Sequence, residues 1–168
     1  MYINNGGKEM EYTEREAERL FEEAYNLHMM GEIDKAIELY KQSIEIQPTA
    51  KAYTFLGWAY SMKKDYEKAI EYCKKAIEID PDFGNPYNDI GAYLIEQGKY
   101  EEAIPWLKQA IVAKNYEPRH FPHMNLARAY MAMGKLYNAL EEANRALEVE
   151  PNYRPAHVIR HQILGMLN

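Results

Sequence analysis

Residues 50–81 read AKAYTFLGWAYSMKKDYEKAIEYCKKAIEIDP, and two apolar runs lie inside this stretch. Tyr53, Leu56, Gly57 and Tyr60 recur at steps of three and four. After a break at Lys64-Asp65 the same steps return in Tyr66, Ala69, Ile70, Cys73, Ala76 and Ile77. Both runs carry a helical period. The stretch therefore predicts two helices of roughly 12–15 residues joined by a tight turn, an αα-hairpin.

Moving outward, the same pattern returns in phase. Gly31-Glu32, Lys64-Asp65, Gly98-Lys99 and Gly134-Lys135 are 33, 34 and 36 residues apart. The alanines Ala36, Ala69, Ala103 and Ala139 keep those intervals, and so do the small residues Ala24, Gly57, Gly91 and Ala127. Pro48, Pro81 and Pro151 follow the same register. A period in this range marks a repeat architecture. Nothing in the chain reads as a strand. Thr13 and Glu16 form a capping-box pattern that predicts the first helix start, and Pro86, Pro122 and Pro155 suit the first turns of later helices.

Tyr53, Leu56, Gly57, Tyr60, Ala69, Cys73, Ala76 and Pro81 closely resemble the tetratricopeptide repeat signature. Tyr87, Ile90, Gly91, Leu94, Ala103, Leu107 and Ala110 fit it, as do Leu126, Ala127, Tyr130, Ala139, Ala143, Ala146 and Pro151. The first unit matches at Leu20, Ala24, Leu27, Ala36, Tyr40 and Pro48 but departs at Glu23 and Ser43. The third has Asn115 in place of a proline and a longer connection through Tyr116-Glu117-Pro118. The resemblance implies an all-α, right-handed superhelical solenoid of four hairpins plus a C-terminal capping helix. The expected repeats are 17–49, 50–83, 84–119 and 120–153, with the last helix at 154–168. They form one domain over 13–168, preceded by a flexible segment at 1–12.

Composition restricts the function. Of 168 residues, 47% are hydrophobic, enough for a core. The net charge is −6. Residues 1–84 carry 11 basic and 17 acidic side chains, whereas residues 85–168 carry nine of each. No basic stripe offers a footprint for phosphate, which disfavours an RNA-binding repeat. One cysteine, Cys73, excludes an intrachain disulfide. The polar start lacks a secretory h-region, and no run approaches the length of a membrane span. The expected setting is cytoplasmic.

In the family that the chain resembles, partners bind a concave groove lined by the first helix of each hairpin. Carried over to this sequence, the groove residues are Phe21, Tyr25, Phe55, Trp58, Met62, Asn88, Met124, Asn125 and Arg128. Aromatics and methionines are typical of protein-binding surfaces. The competing reading buries these aromatics beneath neighbouring repeats or beneath residues 1–12. The family's carboxylate clamp of lysine, asparagine and arginine is missing: Phe21, Tyr25, Phe55, Asn85 and Asp89 stand at its positions. A chaperone-tail adaptor is not expected.

Catalytic motifs are absent. There is no nucleophile elbow, phosphate loop or His-Glu-x-x-His pair, and glutamates such as Glu141-Glu142 read as solvated helix starts. His120, His123, His157 and His161 could hold zinc or nickel, but no cysteine or paired carboxylate completes a ligand set. With Arg119, Arg154 and Arg160 they read instead as a positive surface patch. No enzyme, metal or cofactor is expected. The leading function is a protein-interaction module. The alternative is a self-assembling scaffold, a homodimer joined through apolar Val158, Leu164 and Leu167 of the last helix, with Ile159, Ile163 and Met166 facing inward.

Overall fold

A computed structural model describes residues 5–168. Among the described residues the chain folds into nine helices: α1 Asn5–Met29, α2 Ile33–Ile46, α3 Ala50–Met62, α4 Tyr66–Ile79, α5 Asn85–Glu96, α6 Tyr100–Val112, α7 His120–Ala132, α8 Leu136–Val149 and α9 Arg154–Leu167. Among these residues the β-type pairing is one isolated bridge between Phe83 and Asn115. The protein is an all-α solenoid of helical hairpins. The chain groups into two compact units, the first running to Asp80 and the second from Pro81 to Asn168.

The phased dipeptides mark one turn, built four times. The Glu32, Asp65, Lys99 and Lys135 amides donate to the carbonyls of Leu27, Tyr60, Leu94 and Tyr130 at 2.8–3.1 Å. This long-range closure is a Schellman-type cap, which needs a left-handed residue just before the donor. Gly31, Gly98 and Gly134 supply it at φ 82, 75 and 72°. In the second hairpin Lys64 takes the same conformation at φ 62°, despite the crowding of its Cβ there.

Close approach within each hairpin explains the small residues. In the first unit Ala24, Ala36, Ala69 and Ala76 are fully buried. A Cβ on Gly57 would lie 2.9 Å from the Ala69 carbonyl oxygen and 3.1 Å from Cys73 Sγ. In the second unit a Cβ on Gly91 would lie 2.4 Å from Leu107 Cδ2. The connection after α6 is held as well. Tyr116 is buried against Gly84, and Arg119 donates to the Ala113 carbonyl at 2.9 Å and to that of Ile111, satisfying the end of α6.

Two expectations change here. Helix α1 begins at Asn5 rather than at Thr13, so residues 5–12 are helical; residues 1–4 lie outside the described residues. Thr13 Oγ1 donates to the Met10 carbonyl at 2.8 Å instead of capping. The ion pair of Arg15 with Glu11 spans this point and favours the longer helix, while those of Arg19 with Glu16 and Glu23 bridge the turns beyond it. In α9, Ile159 and Ile163 are buried against Ala127, Ala139 and Ala143, and Leu167 packs on the same cluster. Met166 is 58% exposed. Four residues beyond Ile163 is closer to a whole turn than three, so Leu167 takes the inward place expected of Met166 and leaves the proposed oligomer contact.

Gly57→Ala should lower stability by about 1–3 kcal/mol, because the opposing atom is backbone and cannot yield. Lys64→Gly should raise it by less than ~1 kcal/mol, the relief at positive φ exceeding the added chain entropy. Chemical denaturation of both variants checks the pair.

Candidate partner-binding surfaces

In the first unit, α1 and α3 bring an aromatic cluster together. Phe21 and Phe55 meet edge to face at 5.2 Å between ring centroids, Tyr25 and Phe55 at 5.7 Å, and Phe55 and Trp58 at 5.8 Å. Such pairs are favourable because a ring's positive edge meets a negative face. Tyr25, Phe55 and Trp58 are half-buried, and Met62 is exposed. Phe21 is different. It is only 7% exposed, packed on Tyr40 and Phe55 and covered by the Lys51 ammonium 4.4 Å from its ring centroid. It supports the cluster from below and is not part of its surface, a correction to the expected groove.

One member was not singled out from the sequence. His28 is buried, its ring 4.2 Å from that of Trp58. Its Nδ1 lies 3.3 Å from the Tyr40 hydroxyl and its Nε2 2.9 Å from Met62 Sδ. Burial holds its pKa below the usual 6.5 and raises that of the Tyr40 phenol above 10, so both groups favour their neutral forms. The Phe21, Tyr25, His28 spacing of four and three was the available signal.

The second unit presents a different surface, polar and chained. Arg128 Nη2 donates to Glu96 Oε1 at 2.8 Å and its Nη1 to Asn125 Oδ1 at 3.2 Å. Asn125 Nδ2 donates to Asn88 Oδ1 at 3.0 Å, and Asn88 Nδ2 to Asp89 Oδ1 at 3.4 Å. Met124 lies half-buried on the same helix as Asn125 and Arg128. Burial pushes the Asp89 carboxyl up to about 7, opposed by the Asn88 hydrogen bond.

The late histidines do not form a surface patch. His120 is buried between Phe121 and Tyr153, at centroid distances of 4.3 and 4.5 Å. His123 Nδ1 lies 2.7 Å from Glu142 Oε2, and Glu142 also accepts from Arg145 at 3.0 Å. Glu142 is therefore buried and partnered in the middle of α8, neither solvated nor at a helix start as expected. His157 Nε2 donates to the Pro151 carbonyl at 2.8 Å, and His161 is exposed. Val158 and Leu164 of α9 are exposed.

Fold and surfaces together define an α-helical repeat protein. Sequence models of the tetratricopeptide repeat match residues 18–49, 50–83, 72–104 and 123–153, and the chain belongs to the tetratricopeptide repeat family. Its repeats indicate a protein–protein interaction module. The chain is 29% identical over 137 residues to a heat shock protein sti1 homolog of Schizosaccharomyces pombe, a match covering 82% of this chain and 22% of that protein. It is 30% identical over 70 residues to the Hsp70-Hsp90 organising protein of Plasmodium falciparum, 42% of this chain and 27% of that one. The aligned regions are thus about a quarter of these relatives. Among solved structures, Pseudomonas aeruginosa pilF superposes with a TM-score of 0.85 at 22% identity, over 92% of this chain and 70% of that one. TTC0263, a thermophilic TPR protein of Thermus thermophilus, gives 0.74 at 26% identity over 88% and 81%. YrrB, described as having an unusual peptide-binding site, gives 0.69 at 21% over 97% and 84%.

The raised Asp89 pKa has a definite sign. A carboxyl that holds its proton more tightly when folded adds stability below its unfolded pKa, and that stability is lost as pH rises through the folded value. Asp89→Asn should therefore be more stable than the parent at pH 8, with the gap closing as pH falls from about 7 towards 4. Urea midpoints across that range test it.

Proposed function

We propose that the chain captures a partner protein by an apolar segment laid against the α1–α3 surface of the first unit. Tyr25, Phe55, Trp58 and Met62 form the contact, with His28 and Phe21 beneath them. The supporting observation is the aromatic cluster itself. Three large rings, interlocked edge to face and left half-open, give a rigid anchor that loses little side-chain entropy on binding. A neutral imidazole below Trp58 adds no charge that would repel an apolar side chain.

The chemistry separates this chain from a carboxylate gripper. Lysine and asparagine bind a terminal carboxylate by charge and hydrogen bonds, whereas Phe21, Tyr25 and Phe55 at those places offer chiefly ring surface. The names of the co-chaperone relatives therefore do not carry over as this protein's partner. The Asn88, Asn125 and Arg128 row of the second unit, with Met124, is a separate polar surface suited to hydrogen-bonding a peptide backbone. No catalytic role goes with this reading.

The test begins with selection from a displayed peptide library, with Trp106→Phe protein as bait so that Trp58 is the sole indole. Selected peptides should be rich in large apolar residues and should shift Trp58 emission. Trp58→Ala should weaken their binding by at least about 2 kcal/mol while leaving the helical circular dichroism unchanged. Peptides that bind the Trp58→Ala variant equally well would place the contact elsewhere.

A further inference from the structure

Two surfaces outside the aromatic cluster have opposite charge. On α1, Glu14, Glu18 and Glu22 recur every four residues, so they share one side of the helix. All three are exposed, and none has an ion pair among the described residues, unlike Glu11, Glu16 and Glu23. Glu14 and Glu18 border a hollow of about 420 Å³ beside Phe21, in which Lys51 is the one cationic lining residue.

The second unit carries the complement. Between α7 and α9 lies a trough of about 480 Å³, floored by Met124, Met131, Pro155, Val158 and Ile159. Its charged lining residues are Arg154 and Arg128, the latter held by Glu96 outside the trough lining. From Tyr153 to Asn168 there is no acidic side chain at all, while Arg154 and Arg160 stand there. Neither arginine has an ion pair or hydrogen-bonded partner among the described residues. Arg154 and Val158 share the side of α9 opposite buried Ala156 and Ile163, and Val158 is 50% exposed. The Glu14–Glu22 row runs about 12 Å along α1. Arg160 is half-buried and lies six residues beyond Arg154, about 120° further round α9, so the two arginines spread positive charge over a broad face of that helix.

We propose that copies of this chain associate head to tail, α9 of one copy lying along the Glu14–Glu18–Glu22 side of α1 in the next. The same charges disfavour the two-fold dimer through α9 that its apolar residues first imply. A two-fold axis would set Arg154 and Arg160 against their own copies with no acid to offset them. Joining unlike surfaces leaves one donor and one acceptor face free at each step, so the assembly is open or closes as a ring.

Charge reversal separates the outcomes. One variant is Arg154→Glu/Arg160→Glu; the other is Glu14→Lys/Glu18→Lys/Glu22→Lys. Sedimentation velocity of the full chain should show a mass rising with concentration beyond two copies of 19.7 kDa. The rise should be present at ~50 mM salt and lost at ~500 mM, where exposed charges are screened. Each variant alone should stay monomeric with its helical dichroism intact, and a mixture of the two should reassociate, because each reversed stripe then meets its complement. Trp58→Ala should leave the assembly unchanged, which keeps this result distinct from partner capture. A wild-type chain that is monomeric at every salt would overturn the proposal. So would a dimer that survives both reversals, or a mixture that fails to reassociate.

Discussion

The close approach of the two helices in each hairpin is the constraint on which the other features depend. Where Gly57 faces the Ala69 carbonyl and Gly91 faces Leu107, there is no space for a side chain. The alanines Ala24, Ala36, Ala103, Ala127, Ala139 and Ala143 hold equivalent seams and are all fully buried. Helices packed this tightly are joined by three residues, and that turn needs one of them in the left-handed region. The turn and the seam are thus two consequences of one geometry, which is why both recur in the same phase.

The seam also determines what is left for the surface. Because small residues fill the hairpin interior, the large side chains of the first helices are pushed towards the edges of the interface. Some are covered, as Phe21 is. Others remain half-open, as Tyr25, Phe55 and Trp58 do. The second helices carry their ion pairs outward, for example Lys75 with Glu71 and Arg145 with Glu141. Such exposed pairs contribute little stability each. Their effect here is to keep one face of each hairpin hydrated and to leave ring surface on the other.

The repeat was legible in the sequence because its markers depend on backbone geometry, which Gly, Ala and Pro report directly. Lys64 shows the limit of that rule: its position was readable from spacing even though its residue type was wrong for the conformation. What could not be read was how each side chain shares a crowded boundary. Phe21 and Phe55 look alike as letters, and only the overlying Lys51 and the underlying Tyr40 make the first buried. Glu142 looks like a solvated glutamate until His123 from the facing helix reaches it. Leu167 and Met166 are neighbours of similar hydropathy, and a small difference in helical phase decides which one packs. The start of α1 was missed for another reason. A capping-box pattern at Thr13 is a local signal, and within the longer helix the Thr13 hydroxyl donates back to the Met10 carbonyl instead.

The central claim is that partner segments lie on the first-helix surface of the first unit. Amide hydrogen exchange, measured with and without a saturating selected peptide, tests it without any substitution. The account predicts slowed exchange concentrated in α1 and α3 around residues 21–29 and 55–62, with α2 and α4 unchanged. Protection confined to α2 and α4 would contradict it.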